Sequence, residues 1–234
     1  MQDRLRQFPD AKAMILSLAD EIIARLKDGV AQRDRASMAI SGGTTPGALF
    51  DVLSERDAPW DKVWITLSDE RWIAPDQDGR NEHLARTRLL KGKAAAAHFV
   101  GLKNGDATPQ AGAAKANAAV SALPRPFDVM LLGMGDDGHT ASLYPRAPEL
   151  KAALDTNAPA LVHAVHAQNA AATGDRMTLT LRAILDSRWI VLLIKGDAKM
   201  KTYRMAEGGG DVAEMPVRAI LGQSAAPVDV FWSP

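Results

Sequence analysis

The chain has 234 residues, of which 47% are hydrophobic and 24% charged, and this composition is ordinary for a globular protein with a real core. Its 28 basic and 28 acidic residues give zero net charge, which argues against general binding to nucleic acid or a membrane surface, since both need a basic excess. The absence of cysteine excludes disulfides, thiolate nucleophiles and cysteine-ligated metal sites.

The N-terminal residues lack the apolar core of a signal peptide, and no apolar run approaches the ~20 residues of a membrane helix, so we expect a cytoplasmic protein. Asp10 is predicted to cap an amphipathic helix that carries apolar residues from Met14 to Leu26 and ends at Gly29. Strands are predicted over residues 36–41, 62–67, 97–100, 129–132, 161–165, 176–181, 188–194 and 228–232. Further helices are predicted over residues 49–53, 82–90, 108–123, 149–154, 183–185 and 217–221, and after residue 197.

This alternation of strands and helices predicts a single α/β domain over residues 1–234. We expect a Rossmann-like, mainly parallel open sheet with helices on both faces. The apolar run 188–194 should be a central strand, because parallel strands are buried on both sides. The segment 176–181 alternates strictly between polar and apolar residues and is therefore predicted to be a half-buried strand.

A glycine-hydroxyl loop joins the strand at 36–41 to the helix that follows it. The loop reads Ser41-Gly42-Gly43-Thr44-Thr45-Pro46-Gly47. A strand, such a loop and a helix start usually hold a phosphate, because the backbone N–H groups and the helix dipole both favour an anion. The loop lacks the Gly-Lys-Ser/Thr of a Walker A motif. The alternative is a tight turn in which Thr44 or Thr45 caps the helix and Pro46 lies near its first position.

Candidate cations lie in three other segments. The strand at 62–67 ends in a second polar loop that contains Asp69 and Arg71; its alternative role is a helix cap or a surface salt bridge. A guanidinium can hold a phosphate or carboxylate in bidentate fashion. Arg176 begins a strand, and the sequence does not say which face it occupies. Lys199 and Lys201 lie in the first turns of a helix, where cations oppose the dipole unless an anion is nearby.

The segment from Gly133 to Ser142 follows the apolar strand 129–132 and reads Gly-Met-Gly-Asp-Asp-Gly-His-Thr-Ala-Ser. Its Gly-x-Gly-x-x-Gly pattern matches the dinucleotide fingerprint, but prolines at 145 and 148 forbid the long helix that such a site needs. A glycine turn without chemistry is a further alternative. His139 is the best catalytic candidate, because imidazole both takes and gives a proton near neutral pH, and Asp137 could orient its ring.

The loops 41–47, 68–72 and 133–142 each follow a strand. In a parallel sheet all three open on the same edge, which predicts one site for a small anionic ligand. No His, Asp or Glu cluster has clear metal spacing. We therefore expect proton transfer on a phosphorylated small molecule, with neither a metal nor a cofactor; hydrolysis and isomerisation both fit.

These segments resemble the 6-phosphogluconolactonases, which share a fold with the glucosamine-6-phosphate deaminase/isomerase group. The resemblance covers nearly the whole chain and rests on residues 41–46, Asp69-Glu70-Arg71, Asn81, residues 132–145 and residues 176–180. The block at 133–142 is the most specific part. The deaminases typically continue toward Phe-Asn-Glu-Pro, whereas this chain has Ser142-Leu143-Tyr144-Pro145. It departs from the usual lactonase pattern at Ala74 and Arg80.

The resemblance implies hydrolysis of 6-phospho-D-glucono-1,5-lactone in the oxidative pentose phosphate pathway, on a fold of the sugar-phosphate isomerase type. It implies His139 and Asp137 as catalytic residues. The implied substrate- and phosphate-binding residues are Ser41, Gly42, Gly43, Thr44, Asp69, Arg71, Gly135, Arg176 and Lys199. Backbone N–H groups of the 133–138 turn are expected to stabilise the oxyanion. The partner is a phosphorylated sugar lactone, without nucleic acid or membrane, and the protein is expected to be a monomer or small homo-oligomer.

Two alternatives remain open from the sequence. One is an amino-sugar phosphate isomerase or deaminase on the same fold. The other is a sugar-phosphate-binding regulatory domain without activity; such domains usually accompany a DNA-binding helix pair, for which this neutral chain has no spare segment.

Overall fold

The computed structural model describes residues 4–74, 79–167 and 174–234. The strands in those ranges are β1 Leu5–Gln7, β2 Ala36–Ile40, β3 Val63–Leu67, β4 Asp69–Arg71, β5 His98–Val100, β6 Val129–Leu132, β7 Val162–His166, β8 Asp175–Leu179, β9 Ile190–Lys195 and β10 Val228–Ser233. The helices there are α1 Ala11–Arg33, α2 Thr44–Ser54, α3 Asn81–Arg88, α4 Pro109–Ser121, α5 Leu150–Ala153, α6 Leu181–Leu185, α7 Asp197–Glu207 and α8 Arg218–Leu221.

The main sheet has seven strands in the order β1-β10-β9-β6-β2-β3-β5, and every pairing in it is parallel. This confirms the predicted mainly parallel α/β fold. Strand β9 lies inside the sheet, and its apolar residues are buried on both faces, as the continuous hydrophobic run predicted. Buried apolar residues from the sheet and its covering helices form one hydrophobic core.

The order of the strands defines where a ligand would bind. From β2 the chain proceeds through α2 to β3, toward one edge of the sheet, whereas from β6 it proceeds to β9, toward the other edge. Right-handed crossovers then place the helices of the two halves on opposite faces. Strands β2 and β6 are neighbours, so their outgoing loops diverge and leave a crevice at a topological switch point.

A second, antiparallel sheet of three strands in the order β4-β8-β7 was not predicted. Residues 69–71, expected to lie in a loop, form β4 and pair with β8. The prediction of a half-buried β8 was also wrong, because residues 176–179 are all buried. The alternation itself is present: Met177 and Leu179 belong to the apolar core, and Thr178 between them accepts a hydrogen bond of 3.2 Å from the backbone N–H of Ser142 in the 133–142 loop.

Helix α1 is longer than its pattern indicated. Gly29 was predicted to end it, but the helix continues to Arg33, and Asp34 adopts the left-handed conformation after it. Gly29 is instead a site of close approach, since a Cβ placed there would lie 3.0 Å from both Ala36 Cβ and Asp128 Cγ. The short edge strand β1 had no sequence signal. Among helices of the described ranges, none has the length and apolarity to cross a membrane.

Candidate active site

A cavity of about 330 Å³ opens at the carboxyl edge of the main sheet, in the crevice between β2 and β6. Ten of the eleven predicted site residues line it: Ser41, Gly42, Gly43, Thr44, Asp69, Arg71, Gly135, His139, Arg176 and Lys199. Asp137 does not line the cavity and contacts His139 from outside it. The structure therefore brings together the three loops that the sequence analysis placed at one edge.

Two helices begin at this cavity without a side-chain cap. Gly43 precedes α2 with φ 116°, and Gly196 precedes α7 with φ 87°, a left-handed region that favours glycine. Thr44 is the first residue of α2, so the alternative in which Thr44 or Thr45 caps this helix is wrong. Uncapped backbone N–H groups and the positive ends of two helix dipoles make this a favourable place for an anion.

Gly42 allows the α2 loop to pack closely against α3. A Cβ on Gly42 would lie 1.9 Å from Asn81 Oδ1, so no other residue fits here without displacing Asn81. Asn81 Oδ1 also accepts a hydrogen bond of 3.2 Å from Arg71 Nη1. Gly42 therefore allows the 41–47 loop to lie next to the guanidinium of Arg71.

Arg71 and Arg176 are directly opposite each other in the β4–β8 pair, and both line the cavity. Like charges in register destabilise a sheet unless something neutralises them. Arg71 donates to the carbonyl oxygen of Gly79 and to Asn81. Arg176 is only 3% exposed, and its Nε and Nη1 have no hydrogen-bond partner among the described residues. A buried guanidinium with free donors is a candidate to bind an anionic ligand.

Lys199 lies in the first turn of α7 and lines the same cavity. Its Nζ is 2.8 Å from Asp136 Oδ1, in the glycine turn that also carries His139. The expected anion next to this cation is thus supplied, in the free protein, by a neighbouring carboxylate.

His139 is held by the turn in which it lies. Its Nδ1 is 2.7 Å from Asp137 Oδ1, and its ring packs against Tyr144 at a centroid distance of 4.5 Å. A Cβ on Gly135 would lie 2.1 Å from His139 Nδ1, so the glycine makes room for the ring. Burial raises the pKa of Asp137, but hydrogen bonds from the His139 side chain and backbone outweigh it and leave this pKa below its usual value. The carboxylate therefore stays ionised and orients the imidazole.

Two of the backbone donors expected to stabilise an oxyanion are already engaged. The N–H of Gly135 donates to the His139 carbonyl at 2.8 Å, and the N–H of Gly138 donates to the Gly135 carbonyl at 3.1 Å. These bonds close the turn around the histidine. The oxyanion role expected for the 133–138 turn stays a prediction, and these two N–H groups are not free for it in the structure without ligand.

Asp69 connects the loops that surround the cavity. Its Oδ2 accepts a hydrogen bond of 2.6 Å from Ser142, and its Oδ1 accepts one of 3.0 Å from Ser68. The Ser68 hydroxyl also bonds that of Ser41 at 2.7 Å, and Asn81 Nδ2 donates to the Asp69 carbonyl at 2.8 Å. Asp69 lines the cavity, and its role in substrate binding stays a prediction; the observed contacts show that its carboxylate also holds neighbouring loops in place.

Glu70 has a similar role one residue later, although the sequence analysis gave it none. Its side chain is fully buried and accepts backbone N–H groups of Arg71, Asn81 and Glu82 at 2.7, 2.8 and 2.9 Å. Asn81 and Glu82 are the first two residues of α3, so the carboxylate caps that helix from outside. Burial raises the pKa of Glu70, and the three backbone donors and Arg80 oppose that rise. Arg80, which departs from the family pattern, lies 3.6 Å from Glu70 and so belongs to this cap.

Several residues of the site were not among the predicted site residues. Lys195, Asn81 and Tyr144 line the cavity, while Ser68 and Ser142 hold Asp69. Their signals were present but weak, because Asn81, Ser142 and Tyr144 lie in segments that carried the resemblance and Lys195 ends the most apolar strand. Among the described residues, no cluster of three or more His, Asp or Glu side chains could hold a metal ion.

Comparisons with known proteins agree on one family. A family model described as "Glucosamine-6-phosphate isomerases/6-phosphogluconolactonase" matches residues 9–232. A 6-phosphogluconolactonase of Rhizobium meliloti (strain 1021) is 42% identical over 234 residues, covering all of both chains. The crystal structure of a 6-phosphogluconolactonase from Shewanella baltica OS155 is similar with a TM-score of 0.96 and 44% identity, covering 100% of this chain and 98% of that one. A monomeric glucosamine-6-phosphate deaminase, 17% identical with a TM-score of 0.79 and covering 99% of this chain and 97% of that one, shares the fold.

The buried cap on α3 predicts a large loss of stability from Glu70→Gln. The amide NH₂ would face a backbone N–H that now has a carboxylate acceptor, and an unsatisfied buried donor costs about 1–3 kcal/mol. Urea unfolding at neutral pH measures this change. Glu214→Gln is the matched control, because Glu214 forms an exposed ion pair with Arg146 and its loss is expected to cost less than about 1 kcal/mol. Equal effects of the two substitutions would contradict the capping role.

Proposed function

Because this chain belongs to the family of glucosamine-6-phosphate isomerases and 6-phosphogluconolactonases, we propose that it hydrolyses 6-phospho-D-glucono-1,5-lactone to 6-phospho-D-gluconate. Full-length relatives named 6-phosphogluconolactonase support the reaction, which belongs to the oxidative pentose phosphate pathway. The observation in the structure that carries the proposal is His139, oriented by Asp137 at 2.7 Å, in the same cavity as the buried Arg176, whose Nε and Nη1 have no partner among the described residues. A base and an anion site that line one cavity suit a small phosphorylated substrate.

The phosphate end of the cavity is formed by the start of α2 and by cations. We propose that the phosphate accepts hydrogen bonds from the backbone of Gly42, Gly43 and Thr44. Its charge is balanced by Arg176, with Lys199 at the start of α7. Charge-assisted hydrogen bonds to phosphate are roughly twice as strong as neutral ones, so this end supplies most of the selectivity.

His139 acts as base and then as acid. With Nδ1–H donating to Asp137, Nε2 carries the free lone pair and removes a proton from water as the water oxygen attacks C1 of the lactone. The tetrahedral intermediate collapses when the bond between C1 and the ring oxygen breaks. The imidazolium returns its proton to that ring oxygen, which becomes the hydroxyl at C5. The new carboxylic acid then releases a proton to water.

We further propose that the binding partner is a single phosphorylated sugar lactone. The zero net charge disfavours nucleic acid as a partner. A monomer or small homo-oligomer in the cytoplasm is the expected setting.

The assay that tests the reaction uses freshly prepared 6-phosphogluconolactone and subtracts spontaneous hydrolysis measured in a blank. His139→Ala is expected to lower kcat by 10²–10⁴-fold, the usual cost of losing a general base. The control is His166→Ala, because His166 contacts Asp175 on the protein surface and does not line the cavity. Near-normal kcat in His139→Ala would reject the role of this residue. Release of ammonia from glucosamine 6-phosphate by the wild type, without lactone hydrolysis, would favour the deaminase alternative.

The Asp137 carboxylate predicts a loss of rate with little loss of binding. Its pKa is below its usual value in the folded protein, so the carboxylate stays ionised at neutral pH and holds the imidazole of His139 at Nδ1. Asp137→Asn removes the charge that orients the ring, so kcat should fall roughly tenfold, less than the loss of the base itself, while KM should change little. An unchanged kcat would show that Asp137 does not act on the ring.

The buried Arg176 predicts opposite changes in stability and in substrate binding. Arg176→Met removes an uncompensated buried charge, so the free energy of unfolding without ligand should stay equal or increase. The same substitution removes a charged hydrogen-bond donor to phosphate and should raise KM for the phosphorylated lactone about tenfold or more. The rate with the unphosphorylated lactone should change little. A large loss of stability with unchanged KM would show that Arg176 is structural.

A further inference from the structure

Lys199 already forms an ion pair in the free protein, and its partner is not a residue of the 41–47 loop. Asp136 Oδ1 lies 2.8 Å from Lys199 Nζ. Lys199 is the third residue of α7, where the helix dipole disfavours a cation, so a nearby anion is required. Asp136 supplies this anion when no substrate is bound.

This ion pair is easily broken. Asp136 is 79% exposed and Lys199 27% exposed, and pairs exposed to solvent contribute little to stability. The glycine turn does not depend on the pair for its position, because the Asp136 carbonyl accepts a hydrogen bond of 3.2 Å from Thr202 in α7. Losing the carboxylate therefore leaves the turn attached to the helix.

We infer that Asp136 competes with the substrate phosphate for Lys199 and thereby limits the affinity of the site for phosphate-bearing ligands. A phosphate carries about −1.5 to −2 charge at neutral pH and can displace a single exposed carboxylate. The competition acts on the product as well as the substrate, so Asp136 favours product release. The inference rests on the proposed phosphate site and goes beyond it by naming a residue that weakens binding there.

Calorimetric titration with 6-phosphogluconate and with inorganic phosphate tests the competition directly. Asp136→Asn frees Lys199 and is expected to lower Kd for both ligands about two- to fivefold, as the loss of one exposed ion pair allows. KM for the lactone should fall by a similar factor. Weaker binding by Asp136→Asn would overturn the inference, because it would show that Asp136 holds Lys199 in position for the phosphate.

A double-mutant cycle distinguishes an effect of the Asp136–Lys199 contact on ligand binding from a general effect of removing one negative charge. In a Lys199→Met background, Asp136→Asn should have a much smaller effect on Kd, since the competition requires the lysine. Asp197→Asn is the control, because it removes a carboxylate from the first position of the same helix and forms no ion pair with Lys199 in the described structure. A gain from Asp136→Asn that persists without Lys199, or an equal gain from Asp197→Asn, would contradict the inference. Absence of 6-phosphogluconate binding to the wild type would instead reject the proposed function itself.

Discussion

A buried guanidinium that no described carboxylate neutralises is the physical constraint that explains most of this site. Arg176 is only 3% exposed, lies opposite Arg71 in the second sheet, and has no carboxylate partner among the described residues. Such an arrangement is unfavourable in the free protein and becomes favourable only when an anion enters the cavity. The uncapped starts of α2 and α7 point to the same requirement. A chain with no net charge thus concentrates positive potential at one edge of its sheet.

The carboxylates of the site explain how this cation-rich cavity keeps its shape. Asp69 and Glu70 do not neutralise Arg176; they accept hydrogen bonds from hydroxyl and backbone groups of the surrounding loops. Asp137 does the same for the imidazole of His139. The polar groups that hold the loops are satisfied within the protein, whereas Nε and Nη1 of Arg176, which lines the cavity, have no hydrogen-bond partner among the described residues. The site is therefore organised before the substrate binds. Few side chains and loops have to become ordered when the ligand arrives, which lowers the entropic cost of binding.

Features that depend on local pattern could be predicted from the sequence, whereas features that depend on distant pairing could not. The glycine-rich loops at 41–47 and 133–142 and the buried strand β9 followed from turn chemistry and hydrophobic runs. The pairing of β4 with β8 joins residues more than 100 positions apart, so neither the second sheet nor the burial of Arg176 had a signal. The prediction that Gly29 ends α1 was wrong for the same reason. Its role is close contact with Asp128, and no residue near it in the sequence indicates that contact. The hydrogen bonds of Asp69 could not be predicted either, because they depend on the positions of Ser68 and Ser142 in space.

The most direct test of the account compares two substrates with the unmodified protein. The ratio of kcat/KM for 6-phosphogluconolactone to that for the unphosphorylated lactone, each corrected for spontaneous hydrolysis, measures how much transition-state stabilisation the phosphate supplies. Charged hydrogen bonds from a buried arginine and a helix start predict a ratio of at least about 100. A ratio near one, with both substrates turned over, would contradict the claim that the cavity is built around a phosphate.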